Sequence, residues 1–282
     1  MKRSSLSSGT LRRLAVSLGL AMALGGLFWL AGRTGVEPVA AADAAGALAE
    51  DMVLELVPSV RGVYPHDATA YTQGLLWHEG SLYESTGLYG QSSLRRVDPT
   101  TGRVDRNVAL TGDLFGEGLE LVEDRLFQLT WREGVALEWS LESFEPLARH
   151  AYAGEGWGLC YAAGRLIRSD GSDHLFFHSA DDFSPLGSVA VRLRGEPVPR
   201  LNELECAEGW VYANIYGSER IVRIDAETGR VVAVIDASGL VDAGLARAGV
   251  LNGIAYDPER RSFYLTGKYW PKLFEVVFLP AG

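Results

Sequence analysis

Hydrophobic and polar positions alternate in short runs along most of this chain, as in Leu82-Tyr83-Glu84-Ser85-Thr86, and turns rich in Gly, Asp and Glu separate the runs. Alternation with period two between turn signals predicts β-strands. The runs also recur. A polar or aromatic residue, a small or polar one and then Leu or Ile open a strand-turn-strand unit five times. The copies start at Gln73-Gly74-Leu75, Glu117-Gly118-Leu119, Trp157-Gly158-Leu159, Asn202-Glu203-Leu204 and Asn252-Gly253-Ile254. They lie about 40 to 50 residues apart, the length of a four-stranded propeller blade.

In the first and fourth copies the outer half is plain: Leu94 to Val104 and Ile221 to Val231 each read as two strands joined by a Gly-containing tight turn. The fifth copy stops at Phe278, too early for an outermost strand, and a strand-like segment from Met52 to Val63 precedes the first copy. The predicted fold is all-β, a five-bladed β-propeller whose last blade is closed by the N-terminal strand. Closure of that kind leaves few exposed sheet edges.

The first strand of each propeller blade lines the central channel, so Gln73, Glu117, Trp157, Asn202 and Asn252 form a predicted ring. A second column, five residues after the apolar start of each second strand, reads Gly87, Trp131, Gly171, Tyr216 and Lys268. Polar residues at blade starts can simply hydrogen-bond turn amides, and this reading suffices for Asn202 or Asn252 taken singly. Lys268, after a Thr-Gly turn, could likewise be a surface lysine. A carboxylate, amides, aromatics and a lysine at matched positions point instead to a site, because a mouth crowded by aromatics desolvates a carboxylate set among them.

The first fifty residues differ from the rest. Lys2, Arg3, Arg12 and Arg13 precede an uncharged apolar run from Leu14 to Gly32, and small residues follow at Val39-Ala40-Ala41-Ala42. This is an export signal. Cleavage near Ala42 is the expectation, and retention of residues 14–32 as a membrane anchor is the alternative. Arg12-Arg13 either supply the ordinary positive charge of such a signal or belong to a twin-arginine variant. The expected domains are therefore 1–42, signal or anchor, and 43–282, the propeller, in a periplasmic or extracellular location.

Removing residues 1–42 would take away five cations (Lys2, Arg3, Arg12, Arg13, Arg33) and Glu37, moving the formal charge from -10 to -14. A body that acidic repels nucleic acid. The two cysteines, Cys160 and Cys206, cannot form a disulfide framework, and an offset of one position between their repeats predicts side chains on opposite faces and free thiols. His66, His78, His150, His174 and His178 show no metal-ligand spacing and are expected at the surface. No phosphate loop or serine elbow appears.

Several stretches resemble one family, the plant-type glutamine cyclotransferases, which are glutaminyl-peptide cyclotransferases built on a five-bladed propeller. These are Tyr71-Thr72-Gln73-Gly74-Leu75, Phe115-Gly116-Glu117-Gly118-Leu119, Glu155-Gly156-Trp157-Gly158-Leu159, Leu201-Asn202-Glu203-Leu204-Glu205, Ala213-Asn214-Ile215-Tyr216 and Leu251-Asn252-Gly253-Ile254-Ala255. The most specific runs from Leu265 to Glu275 through Gly267-Lys268-Tyr269-Trp270-Pro271, and the match extends from about Tyr64 to Phe278. The resemblance implies a site of Gln73, Glu117, Trp131, Trp157, Asn202 and Lys268, and Phe115, Tyr216 and Asn252 are expected beside the substrate. Tyr216 stands where a tryptophan is expected.

The implied reaction closes an N-terminal glutamine into pyroglutamate and releases ammonia, with no cofactor or metal. Glu117 would move protons, while Lys268 or an amide of Gln73 or Asn202 would stabilise the oxyanion. The implied partners are N-terminal glutaminyl peptides or proteins, met by a monomer. Two other readings stand beside it: a lactonase-like hydrolase with Ca²⁺ on Glu117, Asn202, Asn252 and Gln73, and a propeller that binds peptides or glycans without chemistry.

Overall fold

The computed structural model describes residues 52–241, 245 and 248–282. The expected export signal, its cleavage point and its possible anchor all lie outside the described residues. Among the described residues no helix is long and apolar enough to cross a membrane.

The described chain is all-β. After a twelve-residue strand β1 (Leu54–Pro65), three four-stranded sheets follow in chain order. The first holds β2 (Thr72–His78), β3 (Ser81–Thr86), β4 (Ser93–Val97) and β5 (Val104–Ala109). The second holds β6 (Gly116–Val122), β7 (Arg125–Thr130), β8 (Val135–Ser140) and β9 (Pro146–Ala151). The third holds β10 (Leu159–Ala162), β11 (Arg165–Arg168), β12 (His174–Ser179) and β13 (Pro185–Ala190), and a two-stranded hairpin, β14 (Arg192–Leu193) with β15 (Glu196–Pro197), comes next. The remaining strands are β16 (Leu201–Ala207), β17 (Trp210–Ile215), β18 (Arg220–Ile224), β19 (Val231–Asp236), β20 (Leu251–Asp257), β21 (Ser262–Gly267) and β22 (Lys272–Pro280).

These last strands and β1 make one eight-stranded sheet in the order β16-β17-β18-β19-β1-β22-β21-β20. Strand β1 runs antiparallel to β22 over nearly its whole length and touches β19 in parallel over Leu54 to Leu56. The pairing of the N-terminal strand with the C-terminal one is the closure expected from the short fifth copy.

Burial grades outward from the first strand of each sheet. Strands β2, β3 and β7 are buried on both faces, whereas β5 and β9 alternate between half-buried and exposed positions. First strands pack chiefly against one another: β2 against β6 and β20, β6 against β10, β10 against β16, β16 against β20. The contacts run in a closed circuit, so residues at the start of these strands converge at one place. The turns follow the expected chemistry. Asp98 accepts the amides of Thr100 and Thr101, and Asp225 those of Glu227 and Thr228, before a left-handed glycine returns the chain.

Cys160 and Cys206 are joined by a disulfide, with Cα atoms 5.4 Å apart, which corrects the expectation of free thiols. The offset of one position is what permits the bond. Two sheets packed side by side present opposite faces to each other, so facing residues differ by an odd step rather than an even one. The bridge fits an oxidising, extracytoplasmic compartment. It joins residues 46 apart, and replacing both cysteines by Ala is expected to destabilise the fold by about 2–4 kcal/mol, read from urea unfolding midpoints.

The histidines divide. His66 and His178 are buried, contrary to expectation, because each has partners inside. His66 lies between the Trp270 carbonyl and Glu84, 2.8 and 3.1 Å away. Burial opposes its charge, but Glu84 keeps its pKa above the ordinary value. His178 stacks on Phe183 and takes a 3.3 Å hydrogen bond from Arg168, and burial pushes its pKa down.

Candidate active site

The first column sits in repeated irregularities of the ladders. Register between β2 and β3 jumps from Thr72↔Thr86 to Gly74↔Ser85, leaving Gln73 as the extra residue. The same jump leaves Glu117 and Gly118 opposite Leu129, Asn202 and Glu203 opposite Asn214, and Asn252 and Gly253 opposite Thr266. A bulge re-aims a side chain that a regular strand would point into a sheet interface. Trp157 lies just ahead of β10 and reaches the same place.

The small residue of the repeat is explained by proximity. A Cβ on Gly118 would fall 2.5 Å from the Leu159 nitrogen, and one on Gly158 2.1 Å from the Asn202 oxygen. Only glycine lets the first strands of successive sheets approach so closely. In the fourth copy Glu203 replaces the glycine and reaches across. Its two oxygens accept the amides of Leu75 and Ile254, at 3.2 and 2.8 Å, while burial pushes its pKa well up. Nothing in the repeat pattern marked Glu203 for this tie.

Four amides of the second column follow one pattern. Those of Gly87, Trp131, Tyr216 and Lys268 donate to the carbonyls of Tyr71, Phe115, Arg200 and Val250, each two residues before a first-column position, whereas Gly171 donates to Leu201. Gly87 is empty for a reason. A Cβ there would lie 2.3 Å from the ring of Phe115, which occupies the space.

These residues line a cavity of about 250 Å³. Eight of the nine residues expected from the sequence border it: Gln73, Phe115, Glu117, Trp131, Trp157, Asn202, Tyr216 and Lys268, joined by Tyr71. Asn252 does not. It is fully buried behind Gln73, donating to the Thr72 carbonyl at 2.9 Å and to Gln73 Oε1 at 3.3 Å, so it orients the amide rather than touching the cavity. Gln73 in turn donates from Nε2 to Glu117 Oε1, 2.8 Å away.

Glu117 and Lys268 are only 4% and 5% exposed. Burial raises the Glu117 carboxyl well above its usual range, and the negative charges of Glu155 and Glu133 add to the rise. The positive charge of Lys268 and the Gln73 hydrogen bond oppose it. Burial lowers Lys268 to about 8 against the attraction of Glu117. Its Nζ lies 4.4 Å from the ring centre of Tyr71 and 5.3 Å from that of Tyr216, each able to stabilise a cation. The site therefore holds an acid and a base whose proton affinities have been drawn together towards neutrality.

The walls are aromatic. Trp157 meets Tyr216 edge-on at 5.6 Å, and Phe115 lies 5.4 Å from Trp131. Tyr216 keeps the wall where a tryptophan is expected, and at 39% exposure it stands at the mouth. Among the described residues no three His, Cys, Asp or Glu side chains converge as metal ligands.

Sequence reasoning overlooked Tyr71 and Glu155. Tyr71 precedes Gln73 by two residues as Phe115 precedes Glu117, so a third aligned column would have found it. Glu155 precedes Trp157 by the same two residues, so that column reaches it as well. It accepts the indole N–H groups of Trp131 and Trp157 at 2.8 and 2.9 Å.

Comparison with known proteins shows the family. A relative from Arabidopsis thaliana, a glutaminyl-peptide cyclotransferase, is 37% identical over 227 residues, spanning 78% of this chain and 70% of its own length. The crystal structure of Myxococcus xanthus glutaminyl cyclase superposes with a TM-score of 0.77 at 44% identity, covering 82% of this chain and all of that one. The sequence model of the glutamine cyclotransferase family matches residues 34–278, so the chain belongs to the glutamine cyclotransferase family.

Proposed function

We propose that the protein is a glutaminyl-peptide cyclotransferase that converts the N-terminal glutamine of peptides to pyroglutamate with release of ammonia. Family membership and the names of the Arabidopsis and Myxococcus relatives support this activity. The observation that carries it is a single buried carboxyl, Glu117, held by Gln73 at the edge of an aromatic cavity and faced by the charge of Lys268.

The chemistry is internal to the substrate, so no enzyme nucleophile is needed. The α-amine attacks the side-chain amide carbon, forming the ring C–N bond; Glu117 takes the proton that the amine sheds and returns it to the departing nitrogen, which leaves as ammonia. Lys268 and the amides of Gln73 and Asn202 stabilise the negative charge that builds on the amide oxygen. Trp131, Trp157, Phe115 and Tyr216 hold the glutaminyl side chain in its folded shape and exclude water. A cavity of about 250 Å³ suits one residue, so the rest of the peptide lies outside.

The circuit of first strands supports counting the eight-stranded sheet as two blades, which makes five in all. Residues 1–42 are assigned to export and residues 43–282 to the catalytic propeller. The testing experiment incubates a glutamine-initiated peptide with residues 43–282 and follows its mass. Loss of one ammonia is expected; an unchanged peptide in the presence of folded protein would replace this reading with a binding module.

A further inference from the structure

We propose that Glu155, in the loop between β9 and β10, is a positioning residue of the cyclisation site, its carboxylate joining tryptophans of two neighbouring sheets into one wall. Trp131 follows β7 of the second sheet and Trp157 leads into β10 of the third. A single oxygen, Oε2, accepts both indole N–H groups, at 2.8 and 2.9 Å. The other oxygen accepts Arg132 Nε at 3.1 Å, and the Arg132 guanidinium carbon lies over the Trp131 ring, 3.7 Å from its centre. The carboxylate thus fixes one indole by its edge and, through Arg132, covers its face.

The loop itself is held in place. The Gly156 amide donates to the Trp131 carbonyl at 2.9 Å, and the Trp157 amide to the Ser169 carbonyl at 3.0 Å. Arg168, 3% exposed, donates to the carbonyls of Glu155 and, at 3.3 Å, Ala153. With its backbone pinned on both sides, the Glu155 side chain spans the boundary between the sheets from a fixed base. Loss of the carboxylate would remove the hydrogen bonds that tie the two indoles to each other.

The same group acts at longer range. The charged and polar groups that bear on Glu117 are Lys268 after β21, Glu133 and Glu155 on the rim, and Gln73 on β2. Among these, Glu155 and Glu133 hold the Glu117 proton on. Glu155 therefore carries two separable functions, a hydrogen-bond acceptor for the wall and a negative charge felt by the catalytic carboxyl.

Two substitutions separate them. Glu155→Gln keeps an oxygen for the indoles and removes the charge; Glu155→Ala removes both. With a glutaminyl peptide, Glu155→Ala is expected to raise KM about tenfold through the loosened wall. Glu155→Gln should keep KM near the parent value, and both variants should move the acid limb of the kcat profile to lower pH. The kinetic consequence rests on the cyclotransferase reading; the wall does not.

The wall is read without substrate from the indole ¹⁵N–¹H resonances of Trp131 and Trp157, assigned with the Trp131→Phe and Trp157→Phe variants. Both resonances should shift in Glu155→Ala and move much less in Glu155→Gln, with melting temperature as a check on folding. Unshifted resonances in folded Glu155→Ala overturn the proposal whatever the activity. Shifted resonances with no ammonia release by the parent protein leave the wall standing and overturn the cyclotransferase reading instead. Parent-like KM and pH profile in Glu155→Ala, from an active parent, overturn the positioning role.

Discussion

Glu117→Gln is expected to lower kcat for ammonia release by about 10³-fold, within the range of a lost general acid–base group, while the affinity for a glutaminyl peptide changes little. The substitution is nearly isosteric, and the new amide oxygen can still accept from Gln73 Nε2, so the cavity keeps its shape. What disappears is the only group here proposed to take a proton from the amine and pass it on. Stability gives an independent check of the sign. A carboxyl whose pKa is raised by folding favours the folded state at low pH, and that contribution is lost as pH rises through the folded value. At neutral pH the glutamine variant should therefore melt no lower than the parent. Near-normal turnover by the variant, followed by mass spectrometry of the released peptide, would remove Glu117 from the mechanism.

Lys268→Met should lower kcat by about 10²-fold, the scale for a lost electrostatic partner of a developing oxyanion. Its effect on the pH profile is the sharper test. With Lys268 at about 8, the protonated form that stabilises the oxyanion is lost above that pH, so the parent kcat should fall on the alkaline side near pH 8. Glu117 must be ionised to accept a proton, so kcat should also fall on the acid side as pH drops through its raised value. The methionine variant removes the alkaline limb. It also removes the positive charge that held Glu117 down, so its acid limb should move to higher pH, opposite to the shift expected for Glu155→Gln. An unchanged alkaline limb would assign the oxyanion to the amides of Gln73 and Asn202.

The cavity is legible in the sequence because each first strand answers to the same constraint. A bulge turns the first residue inward, so Gln73, Glu117, Asn202 and Asn252 recur at matched positions, and at Gly74 and Gly118 the missing Cβ admits the neighbouring backbone. Alignment of such positions reveals where residues converge, but not how deep each lies. Asn252 was placed in the cavity on that ground and is one step behind it. Glu155 shares the column of Tyr71 and Phe115, but its contact with indoles from two sheets is a relation between sheets that aligned positions do not display. The cysteine pair was misread because strand alternation describes one sheet, whereas the bond joins the opposed faces of two.

Strand β1 finds its long antiparallel partner more than two hundred residues later, in β22. The first strand of the folded body to be synthesised must therefore wait for the last. Until β22 is available, Leu54 to Pro65 has no long edge to join, and contacts so remote in sequence carry the loop-closure cost that slows folding. Completion of the circuit is thus a late event, arriving only after β22 has been made. A chain exported unfolded meets that requirement without any competing early closure, which makes the architecture compatible with passage through a membrane as a thread.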